Sequence, residues 1–278
     1  MKNILTITRL TIQEAFARKV FIAFFLISSI VLLCCLGIFL SFSVESFLGP
    51  VEEMIKQSKG KIVQDALTMF VNGIKATIAM PLFGLGLFLS IFSVSSFIPN
   101  MLEKGHVDVI LSKPVSRIQV LFGKFFGGLV VVFFNVAYLI AGIWLLIGIK
   151  FGVWDTQFLY TIITITFTFA LFYSLIILLG VTSQNSILSM MVCYFIFIII
   201  SPLLASRETI FEFIRNGFIK TILDVLYYIV PQTDDLGGIT LSLVKGEAIK
   251  SLSPIYTSIV QMILIFGLSI FIFRKKDY

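Results

Sequence analysis

The sequence contains few charged residues, one histidine and three cysteines. Only 13% of its residues are Asp, Glu, Lys or Arg, whereas 58% are hydrophobic and 30 are Phe. Soluble domains carry about 25% charged residues, so this composition excludes an ordinary soluble protein. The cysteines all lie in apolar runs and therefore indicate neither a disulfide framework nor a redox compartment. The composition predicts an integral membrane protein.

Six apolar runs contain no Asp, Glu, Lys, Arg or His, and each is long enough to cross about 30 Å of hydrocarbon as a helix. They lack the alternation of polar and apolar residues that strands of a membrane barrel show. We therefore predict an all-α integral membrane fold, with residues 1–278 forming one transmembrane domain. The predicted spans are 20–42, 76–98, 125–149, 156–180, 186–205 and 254–273.

Basic residues are denser on one side of these spans. With the N-terminus inside, the inner segments hold 11 Lys and Arg against four Asp and Glu, and the much longer outer segments hold 10 against 11. This bias predicts cytoplasmic N- and C-termini. The basic surplus needs anionic lipid as its partner, not nucleic acid.

The segments between the spans have distinct patterns. Residues 1–19 predict an amphipathic helix on the inner surface, with a disordered tail as the alternative, and lack the features of a cleavable signal peptide. We expect outer loops at 43–75, with a short helix beginning at Pro50, and at 206–253, with an interfacial helix that ends at Pro231. The segment between the fourth and fifth spans is only a few residues long, so we expect a tight hairpin there.

Residues 99–117 form a charged cytoplasmic element between the second and third spans. Asn100 and Glu103 have the spacing of a capping box, so a short helix is expected to begin there. Pro114 prevents one continuous helix, and a second capping box, Ser116 with Gln119, predicts that the third span starts afresh at Ser116. A capped loop without any further role is the alternative interpretation.

This element, "NMLEKGHVDVILSKPVSRIQVLFGKFFG", resembles the corresponding segment of ABC-2-type transporter permeases. The resemblance extends to "SLIILLGVTSQNSILSMMV" and "LYYIVPQTDD", and is greatest for the branch associated with multicopper-enzyme maturation, typified by the permease of the nitrous oxide reductase maturation system. It implies a homodimer or heterodimer of permease chains in a prokaryotic cytoplasmic (inner) membrane, with two copies of a separate ABC ATPase subunit. ATP and Mg²⁺ would bind to that ATPase, and this chain would bind no cofactor. The implied ATPase-coupling residues are Glu103, Lys104, Gly105, Pro114, Ser116 and Arg117, with His106 in the same element.

The chain lacks the residues that several alternative activities need. "GKIVQDA" and "GKFFGG" have neither the glycine spacing nor the Ser/Thr of a phosphate loop, so we expect no ATPase activity, and no other enzyme activity, in this chain. The uncharged spans argue against intrinsic ion coupling. Cysteine and methionine in the spans suit Cu(I), yet they are also ordinary apolar residues, and we predict no metal site.

Polar residues within the spans are the candidates for a translocation path. They are Asn135, Tyr138, Tyr173, Tyr194 and Gln261, and the alternative is that each forms hydrogen bonds between helices. Pro81, Gly84, Gly86 and Ser90 predict a kinkable second span. The leading hypothesis is the membrane-spanning subunit of an ATP-driven exporter. Its cargo would be a sulfur or copper species, a lipid or hydrophobic drug, or sodium. The alternatives are transmission of ATP-driven motion to an outer partner protein, and a membrane scaffold without an ATPase.

Overall fold

The computed structural model describes residues 2–17, 19–41, 61–102, 116–213, 217–249 and 251–276. Within these ranges the chain is helical and contains no strand. Six of its helical segments are long and apolar enough to cross a membrane: Ile22–Ser41, Thr68–Met101, Arg117–Phe151, Gln157–Ser183, Ser186–Ala205 and Ser253–Lys275. The prediction of an all-α, multi-pass membrane protein is therefore confirmed.

The described helices are numbered here in chain order. They are α1 (Lys2–Ala17), α2 (Lys19–Ser41), α3 (Lys61–Pro81), α4 (Leu87–Val94), α5 (Phe97–Met101), α6 (Arg117–Phe151), α7 (Gln157–Ser183), α8 (Ser186–Phe195), α9 (Ser201–Ala205), α10 (Arg207–Phe213), α11 (Gly217–Ile229), α12 (Thr233–Lys245) and α13 (Ser253–Lys275). Two π-helical segments, Leu82–Gly86 and Ile196–Ile200, join α3 to α4 and α8 to α9. We call the end at which α6 begins the proximal end, and the end at which α6 finishes the distal end.

Helix α7 is the centre of the bundle. It packs against α6, α13, α12, α8 and α4. Its large aromatic side chains Phe158, Phe169, Phe172 and Tyr173 are fully buried. Since aromatic side chains contribute the largest buried areas in a core, α7 holds the surrounding helices in place.

The second span is irregular where the sequence contains Pro81. Proline has no backbone N–H to donate to the preceding turn, and here the helix continues as the π-helical segment Leu82–Gly86. The hydroxyl of Ser90 donates to the carbonyl of Gly86 at 2.7 Å. The predicted irregularity is present, and its form is a π-helical turn.

Helix α3 begins far earlier than expected. The predicted loop 43–75 is wrong for residues 61–75, which continue the second span as one helix from Lys61. Its face carries Val71 and Lys75, both buried. The polar residues of this stretch indicated a loop, whereas it is helical and buries Val71 and Lys75. Pro50 and its predicted short helix lie outside the described residues.

The described part of the second predicted outer loop, 206–213, 217–249 and 251–253, contains α10, α11 and α12. Helix α11 ends just before Pro231, as expected. Helix α12 was not predicted. It packs on α3 and α7 and buries Leu236, Ile239, Leu243 and Val244, which share one face. Gly246 follows it with φ of 71°, a left-handed conformation that favours glycine after a helix. The connection between α7 and α8 is a tight hairpin, as predicted, with Asn185 as the N-cap of α8.

Candidate functional site

The proximal end contains both attachment points of the predicted coupling element. Glu103, Lys104, Gly105, His106 and Pro114 lie outside the described residues. The chain leaves α5 at Leu102 and returns at Ser116.

The predicted helix start at Asn100 is wrong. Helix α5 spans Phe97–Met101, so Asn100 lies inside it, and the backbone N–H of Asn100 donates to the carbonyl of Ser96 at 3.1 Å. Pro99 fits within this first turn because the first N–H groups of a helix have no intrahelical acceptor. The side chains of Phe97 and Ile98 are fully buried. Helix α5 is thus anchored in the core.

The second predicted capping box is present at the start of α6. The hydroxyl of Ser116 accepts from the N–H of Gln119 at 3.3 Å, and the side-chain oxygen of Gln119 accepts from the N–H of Ser116 at 3.2 Å. Both contacts satisfy N–H groups that would otherwise lack a partner. They fix the residue at which the coupling element ends and α6 begins.

Arg117 connects the start of α6 to the end of α13. Its Nη1 donates to the carbonyl of Phe273 at 3.1 Å and to that of Lys276 at 2.7 Å. The last carbonyls of a helix lack intrahelical donors and carry partial negative charge, so a cation stabilises them. Arg117, which the resemblance implies for ATPase coupling, therefore has a defined contact within this chain.

Lys276 makes the same kind of contact one helix further on. Its Nζ donates to the carbonyls of Val181 and Thr182, at 3.1 and 3.0 Å, at the end of α7. Two successive cations thus link α6 to α13 and α13 to α7.

Lys124 forms a third connection at this end. Its Nζ is paired with the carboxylate of Glu14 on α1 and lies 5.5 Å from the ring centroid of Phe97 on α5. Its backbone carbonyl accepts from the hydroxyl of Tyr173 on α7 at 2.9 Å. The side chain of Lys124 is 11% exposed, so the pair is partly desolvated. Sequence reasoning counted Lys124 and Glu14 only as inner charges and missed that they meet.

Helix α1 packs along the first part of α6, not only on a lipid surface. A Cβ added at Gly123 would lie 2.5 Å from the Cβ of Ile7, and one at Gly127 would lie 2.5 Å from that of Thr11. Glycines four residues apart allow this close approach between helices in a membrane. Arg9 on α1 is exposed, as the amphipathic pattern predicts.

The five candidate translocation residues do not form one cluster through the contacts they make. Asn135 accepts from Ser28 at 3.0 Å, and the Tyr138 hydroxyl lies 3.3 Å from that of Ser29, so these two share the contact between α2 and α6. Tyr173 bonds to Lys124, as above. The hydroxyl of Tyr194 donates to the carbonyl of Phe88 at 2.9 Å. These contacts match the alternative interpretation, hydrogen bonding between helices.

Gln261, the fifth candidate, holds the end of α11. Its Nε2 donates to the carbonyls of Tyr228 at 2.7 Å and of Val230 at 3.0 Å. Pro231 cannot donate an N–H, and so carbonyls at this helix end need side-chain donors. Gln232 supplies another such donor, to the carbonyl of Tyr227 at 3.2 Å.

A groove of about 200 Å³ lies between α2, the first π-helical segment and α6. Its walls include Phe24, Leu82 and Leu139. The hydroxyls of Ser28 and Thr77 also line it, and both are engaged, with Asn135 and with the carbonyl of Gly73. The groove is therefore apolar in character.

A buried ion pair at the distal end was missed by sequence reasoning. The Nζ of Lys75 lies 2.8 Å from Oδ2 of Asp155 and 3.2 Å from Oδ1 of Asn72, and Lys75 is 2% exposed. The amide of Asn72 donates to the carbonyl of Lys245 at 2.9 Å. The predicted spans contained no charge, but Lys75 directly precedes the second of them and is buried in the same helix. The signal in the sequence was a lysine on the apolar face of 61–75.

A second polar group at this end surrounds Tyr227. The guanidinium of Arg207 lies 3.4 Å from the centroid of its ring, and its hydroxyl donates to Asp235 at 2.8 Å. Burial, together with the hydrogen bond to the Asp235 carboxylate, raises the pKa of Tyr227 to about 12. Burial, followed by the charge of Asp235, also raises the pKa of Asp234.

The cysteines are spread over two helices: Cys34 is exposed and Cys35 half-buried on α2, and Cys193 is buried on α8. Within the described ranges, no group of three or more His, Cys, Asp or Glu residues is placed to hold a metal ion. A scan against protein-family models and a search of curated proteins find no match.

Proposed function

We propose that this chain is the membrane-spanning permease subunit of an ATP-driven, ABC-2-type exporter. Two copies would pair with two copies of a separate ATPase subunit in a prokaryotic cytoplasmic membrane, with both termini and the proximal end on the cytoplasmic side. Residues 103–115 would contact the ATPase. The sequence resemblance at 100–127 and the inner bias of Lys and Arg support this proposal.

The observation that carries the proposal is the anchoring of both ends of the coupling element. At one end α5 is buried in the core beside Lys124. At the other end Ser116 caps α6, and Arg117 connects α6 to the end of α13. Since Lys276 connects α13 to α7, a force applied to residues 103–115 would reach several spans together. A mobile attachment would dissipate that force.

Charge reversal tests this proposal. We would co-express the chain with the ATPase encoded nearest to it, purify through a tag on the chain, and measure bound ATPase and ATP hydrolysis for Glu103→Lys. Glu247→Lys makes the same change at an exposed residue of the distal end and is the matched control. We expect Glu103→Lys to lose ATPase and Glu247→Lys to retain it. Equal amounts of ATPase with both variants would contradict the proposal.

One observation favours a second candidate, transmission of motion to an outer protein. Helix α11 carries exposed Ile222, Val225 and Ile229 on one face at the distal end. A photo-crosslinking residue at Val225 would test it, with Ile263, an exposed residue of the α13 span, as the control. A discrete protein adduct at 225 alone would support an outer partner, and adducts with lipid at both positions would refute it.

A further inference from the structure

The second and fifth spans share one local pattern. On the proximal side each has an aromatic residue, Phe88 in the second span and Tyr194 in the fifth. Two residues further toward the distal end each span becomes π-helical, and a proline follows the π-helical segment. The prolines are Pro81 and Pro202. Helices α6 and α7 contain neither a π-helical segment nor a proline.

The two aromatic residues connect the two spans directly. Their rings are stacked, with centroids 3.9 Å apart and an angle of 8° between the ring planes. The hydroxyl of Tyr194 also donates to the carbonyl of Phe88 at 2.9 Å. Because the two spans run in opposite directions, both π-helical segments lie on the distal side of this contact.

The π-helical segments are the less regular parts of their spans. The N–H of Ser201 donates to the carbonyl of Ile196, five residues earlier, and turns of this kind are rare and occur frequently at functional sites. The proline beside each segment removes a further backbone donor. No residue of Ile196–Ile200 is buried, and Leu82–Gly86 borders the groove between α2 and α6. Neither segment is therefore enclosed by close packing on all sides.

Both spans make firmer contacts on either side of these segments. On the proximal side, α4 buries Leu87 and Ile91, and both α4 and α8 pack on α7. On the distal side, the hydroxyl of Ser201 accepts from the N–H groups of Thr233 and Asp234 at the start of α12. Helix α12 also packs on α3, the distal part of the second span. Each π-helical segment thus lies between two anchored parts of its span.

We propose that the two π-helical segments form a paired hinge, which the contact between Phe88 and Tyr194 holds closed. Hinges absorb a change of backbone angle at a few residues between rigid parts. Bending at both segments would tilt the distal parts of the second and fifth spans relative to their proximal parts. The aromatic contact opposes this movement, because it joins the spans next to both segments. The inference concerns the fold and does not depend on the proposed ATPase partner.

Distances between spin labels measure the hinge in the purified full chain. The distal pair of labels would be placed at Met69 and Leu203, and the proximal pair at Asn100 and Leu188, all of which are exposed. Labelled non-natural amino acids leave the three cysteines unmodified. We expect double electron–electron resonance to give a major and a minor distance for the distal pair and one distance for the proximal pair.

Tyr194→Phe tests the contact that holds the hinge closed. The variant keeps the ring stack and loses the hydrogen bond to the carbonyl of Phe88, so we expect the minor distance of the distal pair to become about 2- to 10-fold more populated. Tyr138→Phe, which removes a hydroxyl beside Ser29, is the matched control and should leave the distribution unchanged. A single distance for the distal pair in both variants, or equal populations in both, would overturn the proposal.

Deletion of Gly84 tests the π-helical segment itself. A π-helical turn holds one residue more than an α-helical turn, so removing Gly84 from Leu82–Gly86 should restore a regular helix. We expect the minor distance of the distal pair to disappear, and its persistence would overturn the proposal. If the deletion variant does not fold, the comparison of Tyr194→Phe with Tyr138→Phe decides the question.

Discussion

Removing either partner of the Lys75–Asp155 pair should destabilise the protein, and the two removals should differ. Breaking a buried pair by removing one partner costs about 3–5 kcal/mol, because it leaves an uncompensated charge. The side chain of Lys75 is 3% exposed and that of Asp155 is 19% exposed. Asp155 also accepts from the backbone N–H of Gln157 at 2.9 Å. Leaving Lys75 without its partner should therefore lower the free energy of unfolding more than leaving Asp155 without its partner.

The expected magnitudes follow from these environments. Asp155→Asn leaves the Lys75 charge buried, and we expect it to cost about 3 kcal/mol, the lower end of the range for broken buried pairs. Lys75→Met leaves the Asp155 carboxylate with partial access to water and one N–H donor, and we expect it to destabilise the protein by about 1–2 kcal/mol, as for a polar group that loses one partner. The double variant, in which no charge is stranded, should be no less stable than Asp155→Asn alone.

The assay is unfolding of the purified chain in mixed micelles, followed by tryptophan fluorescence. The chain has two tryptophans, Trp144 and Trp154, whose ring centroids lie 4.8 Å apart, and Trp154 directly precedes Asp155 in the sequence. Asp224→Asn breaks the more exposed Arg207–Asp224 pair and should cost less than about 1 kcal/mol. If Asp155→Asn costs no more than Asp224→Asn, or less than Lys75→Met, the Lys75 charge does not depend on Asp155 for its stability.

Three further predictions concern other contacts. Gly123→Leu should separate α1 from α6, because even a Cβ at this position would clash with Ile7. A protease should then cleave α1 faster than in the parent chain, and an unchanged rate of cleavage would contradict the packing. Arg117→Gln should lower the Tm, and Arg117→Lys should lower it less, because a positive charge stabilises the free carbonyls at the end of α13. Equal losses of Tm in the two variants would argue against this electrostatic contribution. Because the folded-state pKa of Tyr227 lies above the ordinary value of about 10, its contribution is complete below pH 10 and is lost as pH rises toward 12. Tyr227→Phe should show a weaker decline in stability over that window, and an identical decline would show that other groups cause it.

Local sequence signals predicted the features that depend on neighbouring residues. The Ser116–Gln119 box and the end of α11 before Pro231 both arise from contacts within a few residues. The box expected at Asn100 failed because α5 begins earlier, at Phe97, where burial in the core outweighs a capping preference.

Features that depend on distant residues were not predictable from local pattern. The predicted second span began after Lys75 because a lysine usually lies outside an apolar span. Lys75 is nevertheless buried, since it pairs with Asp155, 80 positions later. The sequence of α12 is short and charged, so its pattern resembled a loop. Its apolar face forms a stable contact only because α3 and α7, which are distant in the sequence, pack against it. Gln261 remains a candidate for a path through the membrane, and its contacts with the carbonyls of Tyr228 and Val230 join residues more than 30 positions apart, which local pattern does not predict.

If this chain works with a separate ATPase, the two proteins should purify together as a complex of defined composition. The native mass of the complex obtained by co-expression with the nearest-encoded ATPase would be measured, with the ATPase omitted as a control. We expect a mass equal to two copies of this 31.2 kDa chain with two copies of the ATPase. A chain that elutes without ATPase in several mild detergents would contradict it and favour a membrane scaffold.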